Sequence, residues 1–305
     1  MTRDLGRLLT AMVTPFRADG SLDYESASRL ARILVADGSD GVVVCGTTGE
    51  SPTLTDPEKL ELTRRVKAAI PEQTVITGTG GNDTRHSIEL SKAAIDAGAD
   101  GLLCVVPYYN KPTQEGIFRH FAAIANAVAA PIVMYNIPGR TGVNMSAETA
   151  LRCAEIPNIA GVKEASANID QMGLICAGRP AAFRVWSGDD GFTLPLLAIG
   201  GHGVICVVSH LAGGAMRAMI EAHLGGEPAT AGALHGHLLP LITALMTVAS
   251  NPIPVKSALN RLGFPAGPFR LPLTEMAAPE MARTMAAVAA AGDLVTFPKM
   301  AVHVS

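Results

Sequence analysis

Ala36-Asp37-Gly38-Ser39-Asp40-Gly41-Val42-Val43-Val44-Cys45 and Ala97-Gly98-Ala99-Asp100-Gly101-Leu102-Leu103-Cys104-Val105 are two versions of one unit. Each reads as a helix ending at glycine, a short turn, and an apolar strand. Ile199-Gly200-Gly201-His202-Gly203-Val204-Ile205-Cys206 repeats it. Outward from these echoes, strand-like runs fall at residues 8–14, 41–45, 74–78, 101–105, 132–135, 159–163, 183–187 and 203–207. Helical patterns such as 24–36, 57–70, 84–97 and 114–127 lie between them, and Thr55-Asp56-Pro57-Glu58 is a well-formed helix start. Continuous apolar strands with helical crossovers specify a parallel sheet. Eight such units predict an α/β fold, a (β/α)8 TIM barrel; a doubly wound open sheet is the alternative. From about residue 211 only helical patterns remain, at 215–224, 229–249, 254–262 and 279–291. The expected organisation is a barrel over 1–210 carrying the active site, with a C-terminal helical annex over 211–305 packed on it.

Composition narrows the function classes. With 48% hydrophobic and 17% charged residues over 305 positions, the chain can bury a large core. A net charge of -3 provides no field for nucleic acid or anionic lipid. The apolar run at 238–249 is short for a membrane span and contains Pro240. Five cysteines without a Cys-x-x-Cys pair favour a reducing cytoplasm. No His-Glu-x-x-His pattern occurs, and His235 and His237 fall on different helix faces, so no metal is expected.

Active sites of such barrels form at the strand C-termini. Read in order, those ends are Cys45-Gly46-Thr47-Thr48-Gly49-Glu50-Ser51, Pro107-Tyr108-Tyr109-Asn110, Tyr135-Asn136-Ile137-Pro138-Gly139-Arg140-Thr141-Gly142, Lys163-Glu164, Ser187-Gly188-Asp189-Asp190 and Ile205. Lys163 ends the buried run Ile159-Ala160-Gly161-Val162, where a desolvated amine becomes a nucleophile for a carbonyl. The competing reading has it snorkelling out or pairing with Glu164. Three of the four tyrosines lie on this rim. Tyr135 is either a proton relay or a core aromatic. Thr47 and Thr48, beside glycines, suit a small anion or a capping turn. Arg140 is either a carboxylate grip or a surface arginine. Asp189 and Asp190 read as helix caps, and Gly78-Thr79-Gly80-Gly81 lacks the spacing of a dinucleotide loop.

Together these segments, with Asn251-Pro252-Ile253-Pro254-Val255-Lys256, resemble the dihydrodipicolinate synthase family of pyruvate-dependent Schiff-base aldolases and lyases over about residues 9–276. The resemblance implies that Lys163 forms an imine with pyruvate and that Tyr135 is its acid/base partner, in a relay with Thr47 or Thr48 and Tyr109. It implies that Tyr109 acts across a dimer interface, commonly within a dimer of dimers. Arg140 would hold the carboxylate of L-aspartate 4-semialdehyde, and Thr47, Thr48, Gly188 and Ile205 would seat pyruvate. The implied product is 4-hydroxy-tetrahydrodipicolinate, on the way to diaminopimelate and lysine, made without cofactor. Alternatives are a 2-keto-3-deoxy sugar-acid aldolase, an N-acetylneuraminate lyase-like enzyme, or a non-catalytic keto-acid sensor. Arg140 favours the first reading.

The effector site that the resemblance implies comprises Asn82, Tyr108, Asp56 and His86. Lysine-inhibited bacterial members carry histidine at the position of Asp56 and glutamate at that of His86. An imidazole at position 86 removes a natural partner for the effector's ammonium. Feedback by L-lysine is therefore expected to be weak or absent; inhibition of turnover at sub-millimolar lysine would contradict this.

Overall fold

The structure, a computed structural model, describes residues 4–297; Met1-Thr2-Arg3 and Lys299 lie outside that range. Eight parallel strands close into a barrel: β1 Leu8–Ala11, β2 Gly41–Val44, β3 Thr74–Gly78, β4 Gly101–Val105, β5 Ile132–Asn136, β6 Ile159–Glu164, β7 Arg184–Ser187 and β8 Gly203–Cys206. Closure is made by β1 on β8, with Leu8, Leu9 and Thr10 opposite Val204, Ile205 and Cys206. The open-sheet alternative is therefore excluded. β1 stops at Ala11, short of the expected residue 14, because Thr14 leaves the ladder and donates its hydroxyl to the Gly49 carbonyl at 2.7 Å.

The repeated turn has a physical purpose. The preceding helix ends at a left-handed glycine, Gly38 at φ +107° and Gly98 at φ +97°. The aspartate two residues later then ties its unit to the preceding strand. Asp40 accepts the amides of Arg7 and Leu8 at 2.7 and 2.9 Å, and Asp100 accepts that of Val75 at 2.9 Å. Arg217 and Lys67 each donate to one of these carboxylates, at 2.6 and 2.8 Å. These bonds satisfy donors at the strand N-termini, where the ladder has not yet begun.

The barrel interior is filled by Leu9, Val43, Ile76, Leu103, Val133, Tyr135, Trp186 and Ile205. Outside β1 and β2, the strand residues Leu8, Val42 and Val44 share one apolar cluster with Leu238, Leu241, Leu245, Val255 and Leu259 from the C-terminal helices. The expected boundary at 210/211 falls inside the helix Ser209–Leu224, which packs on β1 and on the helix Tyr24–Ala36. The helix Pro228–Thr247 matches the helical pattern expected at 229–249 within two residues, and by length and composition alone it could cross a membrane. It packs on Ser209–Leu224 and on the helix Ala278–Ala290, burying Leu238, Leu241, Ile242 and Leu245.

At the start of β8, a Cβ on Gly203 would lie 2.0 Å from the Arg7 carbonyl oxygen. Backbone on both sides of the closing seam leaves no room to yield. Gly203→Ala is expected to destabilise the fold by about 3 kcal/mol, read as a lowered midpoint in urea.

Candidate active site

Side chains on a strand alternate between its two faces. Lys163 therefore points into the barrel and Glu164 out of it. Glu164 is wholly buried in a separate network: it accepts from the Asn136 amide at 3.1 and 3.0 Å, the Ser166 amide nitrogen at 2.8 Å and Gln171 at 3.2 Å. The reading in which Glu164 neutralises Lys163 is excluded by that geometry. Among the described residues no carboxylate makes an ion pair with Lys163.

Lys163 is 5% exposed. Its register partner on β5 is Tyr135, and its ammonium nitrogen lies 4.4 Å from the centre of the Tyr135 ring. Burial pulls the amine down to about 8, opposed by the more distant charge of Asp190. A shift of that size raises the neutral fraction at pH 7 from roughly one in three thousand to about one in ten. Burial also pushes the Tyr135 phenol up to about 12, against the pull of Arg140 and a hydrogen bond with the Thr47 side chain. The phenol is thus a neutral hydrogen-bond donor and acceptor near pH 7.

The turn carrying Thr47 closes on itself, with Gly49 and Ser51 amides donating to the Gly46 carbonyl at 3.1 and 3.2 Å. Cys45 and Glu50, both left-handed at φ 57° and 56°, bracket it. Thr48 is buried and accepts from the Asn251 side chain at 3.0 Å. Gly188 lies against the Lys163 stem: a Cβ there would be 3.1 Å from Lys163 Cγ and 2.7 Å from Ala165 Cβ. Its amide donates to the Glu164 carbonyl at 2.7 Å. Ile205 is wholly buried in the interior layer. Asp189 caps the turn after β7 through the Gly191 amide at 2.9 Å, as expected of it. Asp190 is buried and accepts the Val207 and Val208 amides at 3.0 and 2.6 Å.

Arg140 sits on the one-turn helix Pro138–Thr141 and donates to the Asn251 carbonyl at 3.1 Å. Tyr109 stands apart from this group, 89% exposed and left-handed at φ 72°. Tyr108 is 40% exposed. At the implied effector site, Asp56 and His86 form a pair at 2.7 Å, and Asn82 accepts the Asn110 amide at 2.9 Å. Asp56 thus supplies a carboxylate that position 86 lacks, but His86 and, at 3.9 Å, Lys59 already engage it.

Asn251 carries no sign of a site role in the sequence beyond its place in the segment 251–256. Its side chain holds Thr48, its carbonyl holds Arg140, and its side-chain oxygen is buried without a partner. A second buried lysine, Lys256, is wholly inaccessible and lies 2.7 Å from Glu50. Lys256 follows two prolines rather than a strand pattern, so periodicity did not mark it.

A model of the dihydrodipicolinate synthetase family matches residues 4–291. The 4-hydroxy-tetrahydrodipicolinate synthase of Moorella thermoacetica is 57% identical over 95% of this chain and 99% of its own length. The structure of the Cyanidioschyzon merolae synthase with lysine bound is 48% identical, with a TM-score of 0.92 over 94% of this chain and 98% of that one. That of the chloride-inhibited Acinetobacter baumannii synthase complexed with pyruvate is 39% identical, with a TM-score of 0.92 over 95% and 99%.

Only the neutral amine can add to a carbonyl. Imine formation with pyruvate is therefore expected to accelerate as pH rises through about 8 and to level off above it, followed as borohydride-trapped adduct against time. A rate still climbing steeply at pH 10 would mean that Lys163 titrates as an ordinary lysine.

Proposed function

This chain belongs to the dihydrodipicolinate synthetase family, and from that premise we propose that Lys163 and its neighbours carry out the Schiff-base chemistry. The reaction is the condensation of pyruvate with L-aspartate 4-semialdehyde to 4-hydroxy-tetrahydrodipicolinate. The observation that carries the assignment is a buried amine, without an ion pair among the described residues, at 4.4 Å from the Tyr135 ring.

The Lys163 amine adds to the pyruvate carbonyl, and water leaves to give the imine. The protonated imine is the electron sink: loss of a methyl proton gives the enamine, whose carbon attacks the aldehyde. The amino group of the second substrate then attacks the imine carbon and expels Lys163, regenerating the amine. Each step moves a proton, and Tyr135 with Thr47 is the pair positioned to move it. A positive imine nitrogen beside Tyr135 would draw its phenol down from about 12, enabling transfer in both directions.

Thr47, Thr48, Gly188 and Ile205 form the seat for pyruvate in this reading, and Arg140 meets the second carboxylate in bidentate fashion. The exposure of Tyr109 supports its completing the relay of a neighbouring protomer, so the working unit is a homo-oligomer, at least a dimer and commonly a dimer of dimers. The cytoplasm suits its unpaired cysteines, most of them buried.

Reduction with borohydride in the presence of pyruvate, followed by peptide mapping, is expected to place the adduct on Lys163; an adduct elsewhere overturns the mechanism. Arg140→Ala is expected to raise KM for aspartate semialdehyde by about tenfold or more while leaving the pyruvate adduct intact.

A further inference from the structure

We propose that Lys256 is a positioning residue for the reaction: through Glu50 it fixes the turn that presents Thr47 and Thr48 to pyruvate. The inference rests on reading those threonines as part of the pyruvate seat.

Lys256 and Glu50 are the one wholly buried ion pair among the described residues, with Nζ 2.7 Å from Oε1. The ammonium lies 4.2 Å from the centre of the Phe16 ring and 5.1 Å from that of Phe269. The other carboxylate oxygen of Glu50 accepts the Arg270 amide at 3.1 Å. The carboxylate is thus gripped on both sides by the C-terminal region, although it belongs to the loop after β2. Burial pulls Lys256 down to about 8, and Glu50 opposes that pull by holding the charged form.

A pair of this kind stabilises a fold little more than apolar residues of the same volume would. Its distinctive property is direction: a salt bridge at one distance and angle sets where Glu50 sits. Glu50 is left-handed, two residues after Thr48, and its amide donates to the Thr47 carbonyl at 3.1 Å. A non-glycine residue holds that conformation only where its surroundings impose it. Lys256 imposes it from the side chain, and Asn251, earlier in the same segment, holds Thr48 directly at 3.0 Å. One stretch of the C-terminal region therefore sets both the backbone and a hydroxyl of the turn.

Lys256→Met alone would strand the Glu50 charge and can prevent folding. The informative full-length variant is Glu50→Gln with Lys256→Met, which removes both charges. If it folds, by circular dichroism and thermal melting, KM for pyruvate is expected to rise about tenfold and borohydride-trapped imine to form about tenfold more slowly, with KM for aspartate semialdehyde within about twofold. Unchanged pyruvate kinetics would make the pair merely structural and overturn the proposal. Equal deterioration for both substrates would do the same. Should the double variant not fold, Glu50→Gln alone leaves Lys256 an acceptor and is read for the same split between substrates, whose absence overturns the proposal. If the unaltered protein gives no pyruvate adduct on Lys163, the functional reading fails and this inference falls with it, an outcome visible before any variant is made.

Discussion

An ammonium taken out of water needs a counter-charge, and among the described residues the barrel gives Lys163 no ion pair. The neighbouring carboxylate is turned outward and satisfied by Asn136, Ser166 and Gln171, and Asp190, whose charge Lys163 feels, is occupied with backbone amides. The interior of a closed sheet is one of the few places where this can be arranged, because every wall is backbone already hydrogen-bonded to its neighbour. The fold supplies a dry site, and the dry site supplies a free amine. Tyr135 is held opposite Lys163 by the β5–β6 register, which sets its phenol at the same depth as the amine.

The contrast with Lys256 is instructive. Both lysines are brought to about 8 by burial, yet only Lys256 has a carboxylate at 2.7 Å. Low proton affinity by itself therefore does not separate a reactive lysine from a structural one; the presence of a paired anion does. The two sites are also linked in space. The C-terminal region reaches the rim through Asn251, Lys256 and Arg270, and its helices share the apolar cluster that lies outside β1 and β2. It is part of the catalytic end of the barrel rather than an appendage.

Much of this was legible in the amino-acid order. Short apolar runs placed all eight strands, seven of them to the residue at the N-terminal end and β7 within one, because β-branched runs bounded by glycine leave few choices. The rim followed from counting strand ends, which brought Lys163, Tyr135, Thr47, Thr48, Gly188 and Ile205 together. What periodicity could not show is contact between residues far apart in the chain. The bond from Thr48 to Asn251 spans more than two hundred positions, as does that from Glu50 to Lys256. Position 56 shows another limit: composition at each site said that the carboxylate was lost from position 86, whereas the fold shows Asp56 standing opposite it. Tyr109 shows a third, since its place in the rim loop did not reveal that it faces water while Lys163, Tyr135 and Thr48 are enclosed.

The turn aspartates Asp40 and Asp100 grip strand N-termini at the end of the barrel opposite the chemistry. Closure and catalysis are thereby assigned to different ends of the same strands. Arg140, in turn, rests on a four-residue helix and a bond to one backbone carbonyl, with no share in the closing seam. Side chains at the rim can accordingly drift while the scaffold stays intact. A lineage carrying this barrel could change a few loop side chains at the rim while keeping the closed sheet and its buried, unpaired lysine throughout.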